Sequence, residues 1–408
     1  MKRSRVAALI VAICALGAKA QTATSVPVYV KETAGIRRTA YPVNARIPFP
    51  KGALPDPARV RLAFNSAEVP VQFTPEARWP DGSVQWLDAD FNVTIGPNEN
   101  RTYTLEYGSG ISSQAQPRGL SVTEDAESIR VGNVRFSKTG FPLITSVKYR
   151  GEDIGNGANG ISVTDSAGGS HDLSRADALK TEIVKRGPLD VLLRYSGRLM
   201  LDGANAAPFV ITVEMPNSKS WMKVTAVVQD PAMHVRDLAL DTPFSFSGLP
   251  LIWDFGTERW TYGVLRAQSE RVTLTEAIKP DGATEWSVST GETGQEQLYD
   301  TATSSRPVAW AHLQDSKEAV AFAIESAESQ PGTYRFSIDG QGHTSIRFAP
   351  AHPANQHQLI VYEHFVPTPV QIGAATSPAS ALNPLIAVCD RERYVSSGVE
   401  TPTHVEAR

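Results

Sequence analysis

Apolar and polar residues alternate with a period of two along most of this chain, and that alternation predicts strands rather than helices. It is clear over 60–64, 69–73, 84–93, 101–107, 128–136, 190–201, 209–214 and 221–229. It returns over 271–276, 308–313, 319–324, 334–338, 344–348 and 359–363. Clusters of Gly, Pro, Asn, Asp and Ser interrupt the runs at roughly ten-residue spacing, the rhythm of barrels and sandwiches. Only 174–185 admits a helix, and Thr181-Glu182-Ile183-Val184 within it suits a strand equally well. The chain is expected to be all-β.

The sharpest local signal is Arg78-Trp79-Pro80-Asp81-Gly82-Ser83-Val84-Gln85-Trp86, in which two tryptophans flank a tight turn. Pro fixes one dihedral, Asp bonds its own backbone and Gly accepts positive φ. The rings serve either as core or as a platform for stacking sugars. A boundary falls over 108–119, where Gly-Ser-Gly, Ser-Ser and Gln-Pro-Arg-Gly break the rhythm. It separates a compact unit, 21–110, from a longer one with longer strands, 118–372. From 373 to 408, the C-terminal tail, Ser, Ala and Pro accumulate, 382–388 makes a last apolar patch, and the final dozen residues look solvated.

Lys2, Arg3 and Arg5 precede an apolar run over 6–17, and Ala18-Lys19-Ala20 offers a small-x-small cleavage site. Residues 1–20 are therefore expected to be a secretory signal, which places the protein outside the cytoplasm, secreted or periplasmic. Its removal takes Cys14 and leaves Cys389 alone, so no internal disulfide can form. No later stretch is apolar for long enough to span a bilayer as a helix. The net charge of −4 becomes more negative once the basic leader is gone, which excludes the electrostatic footprint of a nucleic-acid binder. A polyuronate ligand would need local attraction from Arg37-Arg38 or Lys185-Arg186.

Ile47-Pro48-Phe49-Pro50-Lys51-Gly52, Arg61-Leu62, Val69-Pro70-Val71-Gln72 and the 78–86 stretch resemble, in order and spacing, the N-terminal barrel of exo-acting rhamnogalacturonan lyase-like proteins. The resemblance implies a small RIFT-type β-barrel. Phe141-Pro142, Gly187-Pro188 and Trp253-Asp254-Phe255-Gly256 extend it to a large galactose-mutarotase-like β-sandwich over about 120–370. It implies a carbohydrate ligand, polysaccharide or oligosaccharide of pectic type. In that family the lyase site is expected in an α/α toroid, for which no helical stretch is present here. Lyase activity is therefore not carried over, and a toroid would come from a partner protein. The expectation is an exported, noncatalytic carbohydrate binder; the rivals are a lyase or sugar epimerase using the sandwich, and an envelope scaffold without a small ligand.

Carbohydrate recognition wants flat aromatic faces for the apolar side of a pyranose and planar polar groups for its hydroxyls. Trp253, Asp254, Glu258, Arg259, Trp260 and Tyr262 crowd into ten residues and are the binding candidates. If the segment is a strand, Trp253 and Phe255 share one face and Asp254 and Glu258 the other, which makes the first two core. An epimerase-like site needs imidazoles and a carboxylate converging on one ring. His312, His364 with neighbouring Glu363, and Glu214 are the acid–base candidates. His343, His352, His357 and His364 crowd one window, but their spacings match no compact ligand signature, so no metal is expected. The Gly-rich 151–160 lacks the lysine and hydroxyl of a phosphate loop and the oxygen spacing of a calcium hand, so no cofactor is expected either.

Overall fold

A computed structural model of the chain describes residues 24–114, 117–149, 152–155, 159–201, 206–217, 221–246, 248–259, 261–367 and 378–399. The expected leader, Trp260, parts of the 151–160 loop, residues 368–372 and residues 373–377 and 400–408 of the expected tail lie outside them. The described chain is all-β, with thirty strands, two 3-10 turns and two helices of under eight residues.

Strands Thr24–Lys31, Arg38–Pro48, Val60–Phe64, Ala67–Val69, Val71–Arg78, Val84–Ile95 and Asn100–Tyr107 build the first sheet. Their alternate residues, among them Val28, Ile47, Leu62, Leu87 and Leu105, fill one core. The tryptophan turn closes as its residue types demand. Gly82 sits at φ 85°, Asp81 Oδ1 accepts from Ser83 N at 3.0 Å, and Trp79 N donates to Ser83 O at 2.8 Å. Trp86 is 8% exposed, and Trp79 Nε1 donates to Phe49 O at 2.9 Å. Both rings therefore pack.

An eighth strand of this sheet comes from the far end of the chain. Ile386–Cys389 lies between Thr24–Lys31, to which it is antiparallel, and Arg38–Pro48, which it touches in parallel only at Ala45↔Ala387. It is flanked by helices α1 (Pro378–Leu382) and α2 (Arg391–Ser397). The last apolar patch of the sequence falls here, and Leu385, Ala387 and Cys389 join the barrel core. Four residues are too short a run for periodicity to reveal a strand. Arg38, 0% exposed, donates to the carbonyls of Ser380 at 2.9 Å and Asn383 at 2.6 Å. The Tyr41 hydroxyl donates to Ser380 O at 2.7 Å.

The second body is a sandwich of an eight- and a nine-stranded sheet around Tyr195, Phe209, Trp253, Phe255, Phe322 and Phe336. A five-stranded sheet contributes Ile129, Val131, Val134 and Phe136 to the same core. The ambiguous 174–185 segment is a 3-10 turn, Leu173–Arg175, followed by strand Ala176–Lys185. In spatial order the nine-stranded sheet runs Ala176–Lys185, Asp190–Met200, Ala206–Pro216, Trp221–Gln229, Gln356–Pro367, Glu318–Ile324, Trp310–Gln314, Leu251–Phe255 and Thr261–Leu265. One face is core. On the other, Ala319, Ala321 and Ala323 are buried in spite of their outward parity, because α1 packs over their strand and over Trp310–Gln314. Nearby, buried Gln72 of the barrel donates to Asp190 O at 2.9 Å and accepts from Leu189 N and Asp190 N. This outer face, partly roofed by barrel and α1, carries Asp254, Tyr262, His312 and His364 of the candidates.

Candidate functional site

Strand parity sorts the candidates. In Leu251–Phe255, Trp253 is 1% and Phe255 0% exposed, while Asp254 points to the outer face. Tyr262, Asp254, His312, Ala321 and His364 then fall in register on five successive strands. Asp254 Oδ1 lies 3.0 Å from His312 Nδ1, with side-chain exposures of 36% and 15%. The Trp310 ring packs against the imidazole at 5.1 Å, the two planes tilted by 56°. It can do so because the next strand-end residue is Gly256, where a Cβ would sit 2.2 Å from the indole. Tyr262 is 67% exposed, and the half-exposed Tyr299 donates its hydroxyl to Tyr262 O at 2.9 Å. His364 stands two strands from His312, half-buried, with Ala321 between them. The result is a strip in which the phenol ring and the carboxylate face solvent and the imidazole is half-buried.

The remaining candidates do not join it. Trp253 is core and offers no face to a ligand. Glu258 accepts from Ser304 Oγ at 3.0 Å, and Arg259 lies 3.6 Å from Asp300, so both reach toward strand Gln297–Ser304 of the opposite sheet. Glu363 is the neighbour of His364 in sequence but faces the sandwich interior, 0% exposed. It accepts from Thr242 Oγ1 at 2.7 Å, and burial pushes its carboxyl up to about 7. The sheet thus separates the expected His364–Glu363 pair. His343 pairs with Asp339 at 3.2 Å, whereas His357 is buried 3.5 Å from Asp230. Among the described residues no group of three or more His, Cys, Asp or Glu is placed to hold a metal.

A second polar group on the same face escaped the reading of the sequence. Lys185 Nζ lies 3.0 Å from Asp190, 3.1 Å from Asp90 and 3.6 Å from Asp88. Burial alone would lower its affinity for the proton, but the aspartates outweigh that and hold the ammonium above the usual lysine range. Asp90 and Asp190 are 5% and 4% exposed. Burial, opposed by Lys185 and reinforced by a neighbouring carboxylate, pushes each up to about 6. Beside them a cleft of about 250 Å³ opens between barrel and sandwich, lined by Tyr41, Asn44, Asp190, Glu214, Lys223 and Tyr362 among others. Glu325 holds Lys223 at 2.8 Å and accepts from the Tyr362 hydroxyl at 2.9 Å. Asp88 and Asp90 alternate with core residues in Val84–Ile95, and that is the only trace of this group in the local pattern. Its partners lie about a hundred residues away.

Two cations expected to attract a polyuronate are spent inside the fold. Arg38 is fully buried and Lys185 is 11% exposed among its aspartates, while exposed Arg186 pairs with Glu124 at 2.9 Å. Arg38 also lies 4.8 Å over the Tyr41 ring. Both bond the carbonyl of Ser380, so this tyrosine–guanidinium pair fastens α1 and is closed to a substrate.

The topology defines an all-β protein, a small barrel joined to a large sandwich. Residues 35–108 match the model of the PcRGLX-like N-terminal RIFT barrel domain. A curated relative, the uncharacterized protein YetA of Bacillus subtilis (strain 168), is 26% identical over 181 residues, 41% of this chain and 20% of its own length. An α-mannosidase from Enterococcus faecalis V583 superposes on 90% of this chain and 46% of its own, with a TM-score of 0.54 at 12% identity. A protein in the Glycosyl Hydrolase Family 38 from Enterococcus faecalis does so over 90% and 47%, with a TM-score of 0.56 at 12% identity. At such identity the likeness is one of fold. The chain spans a fifth of YetA and just under half of each Enterococcus faecalis protein.

Proposed function

We propose that the protein is exported and binds carbohydrate along the strip formed by Tyr262, Asp254 and His312. The observation that carries the reading is the exposed Tyr262 ring set in register beside the solvent-reached Asp254–His312 pair. A phenol face suits the apolar side of a pyranose, and a carboxylate and an imidazole 3.0 Å apart can share its hydroxyl protons as acceptor and donor. A shallow strip admits a chain of sugars where a closed pocket would admit only an end. Support comes also from the RIFT barrel, a domain type of rhamnogalacturonan lyase-like proteins, and from the recurrence of the fold in proteins named for mannosidase and glycosyl hydrolase activity. With Arg38 and Lys185 unavailable, neutral saccharides fit better than the pectic uronates that the resemblance implies. Export rests on the Lys/Arg-flanked apolar leader, and an N-terminus at Gln21 in protein recovered outside the cytoplasm is its test.

Calorimetric titration against neutral and uronate polysaccharides tests the binding. The expected result is saturable binding to a neutral glycan, about tenfold weaker in Tyr262→Ala and in Asp254→Asn, with unfolding midpoints unchanged. No binding to any glycan, or binding indifferent to both substitutions, overturns the reading.

A further inference from the structure

The cleft between barrel and sandwich is distinct from the strip, and its chemistry is incomplete without a guest. Asp190 is 4% exposed; Lys185 engages its Oδ2 at 3.0 Å, and neither carboxylate oxygen reaches the surface, so its charge is felt in the cleft but its oxygens are closed to a guest. Glu214 lines it too, and its carboxylate accepts no hydrogen bond from any described residue. Glu214 is half-buried, and a carboxylate so placed without a donor is open to one from a guest of the cleft. Donors of its own stand opposite: Lys223 Nζ carries three N–H bonds, one of which serves Glu325 at 2.8 Å. Tyr41, Tyr362 and Leu385 add apolar surface.

We propose that this cleft binds one neutral pyranose, its hydroxyls donating to Glu214 and accepting from Lys223. Size and charge narrow the guest. A volume of about 250 Å³ holds a single ring and no chain. Asp90, Asp190 and Glu214 outnumber Lys223 on the wall, which repels a uronate, and two lysines with no metal-holding group of three acidic or imidazole side chains among the described residues disfavour a free cation. Because barrel, sandwich and the 384–386 segment each supply walls, an occupant fastens the two bodies together.

The test is thermal unfolding and calorimetric titration of the full chain with L-rhamnose, D-galactose, D-glucose, D-galacturonate and calcium chloride. At least one neutral sugar is expected to bind saturably and raise the unfolding midpoint, with D-galacturonate at least tenfold weaker. Glu214→Gln removes the charged acceptor, and Asn92→Trp fills the cleft from a half-exposed strand position; each is expected to weaken that binding at least tenfold, and Tyr262→Ala to leave it intact. Binding that survives both cleft substitutions but is lost in Tyr262→Ala overturns this site and leaves the strip standing. Equal binding of galacturonate, a response to calcium alone, or no response to any monosaccharide also overturns it, whatever polysaccharides do at the strip.

Discussion

Asp254 and His312 stand at one end of a sheet face and Lys185 and Asp190, which reach across to Asp90 of the barrel, at the other, yet water reaches the first pair and hardly touches the second group. Asp254 is 36% exposed, whereas the side chains of Asp90 and Asp190 are 8% and 5% exposed. Where solvent screens the charges, an ion pair contributes little to stability and its members are free to trade partners with a ligand. Where it does not, each charge depends on its neighbours, because desolvation is repaid only while every partner is present. The same residue types therefore make a recognition surface at one end of the sheet and a domain fastening at the other.

The largest expected effect breaks the buried side of this contrast. Lys185→Met strands two aspartates and should cost about 3–5 kcal/mol at pH 7.5 in denaturant titration. The cost should shrink at pH 5, where Asp90 and Asp190 are protonated; a pH-independent loss would mean that Lys185 acts through packing.

A smaller effect belongs to the wild-type protein. Asp90, Asp190, Glu363 and Glu276 all have folded pKa values above their ordinary 3.8 or 4.5, Glu276 through burial up to about 8. A raised carboxyl stabilises the folded state fully below its unfolded pKa, and that contribution fades as pH rises through the folded value. The unfolding midpoint is thus expected to fall by several degrees between pH 5 and pH 8. Glu276→Gln should flatten the upper part of the slope, and a midpoint that rises over this window would contradict the burial of these groups.

On the exposed side, His312→Ala should weaken glycan binding about tenfold while shifting stability by less than about 1 kcal/mol, as read by titration and melting of the same preparation. The smallest effect is Arg259→Ala, whose 3.6 Å pair with Asp300 is screened. It should change stability by under about 0.5 kcal/mol and leave binding untouched. A large binding loss there would move the site toward strand Gln297–Ser304.

Much of the fold was legible because most strands bury one face, so Val84–Ile95, Asp190–Met200 and Ala206–Pro216 announce themselves by alternation. Arg38–Pro48 did not, since Pro42 and Pro48 interrupt it; it pairs along its length with Val84–Ile95 and with Ile386–Cys389 only at Ala45. Parity placed Asp254 and Trp253 on opposite faces from the sequence alone. It could not bring Tyr262, Asp254 and His312 into one row, since register between strands is a tertiary property. Nor could it show Lys185 among aspartates, because nothing local marks contacts made across two sheets.

The strand Ile386–Cys389 has a further consequence for how the molecule comes into being. Residues 24–31 and 38–48 leave the ribosome early, but their shared neighbour emerges only some three hundred residues later. Until then the nascent barrel carries a gap flanked by unpaired amides, the kind of edge that recruits foreign strands. Safe maturation therefore hinges on whatever shields that seam during synthesis, and a C-terminally truncated product should aggregate through its first sheet even though its sandwich is whole.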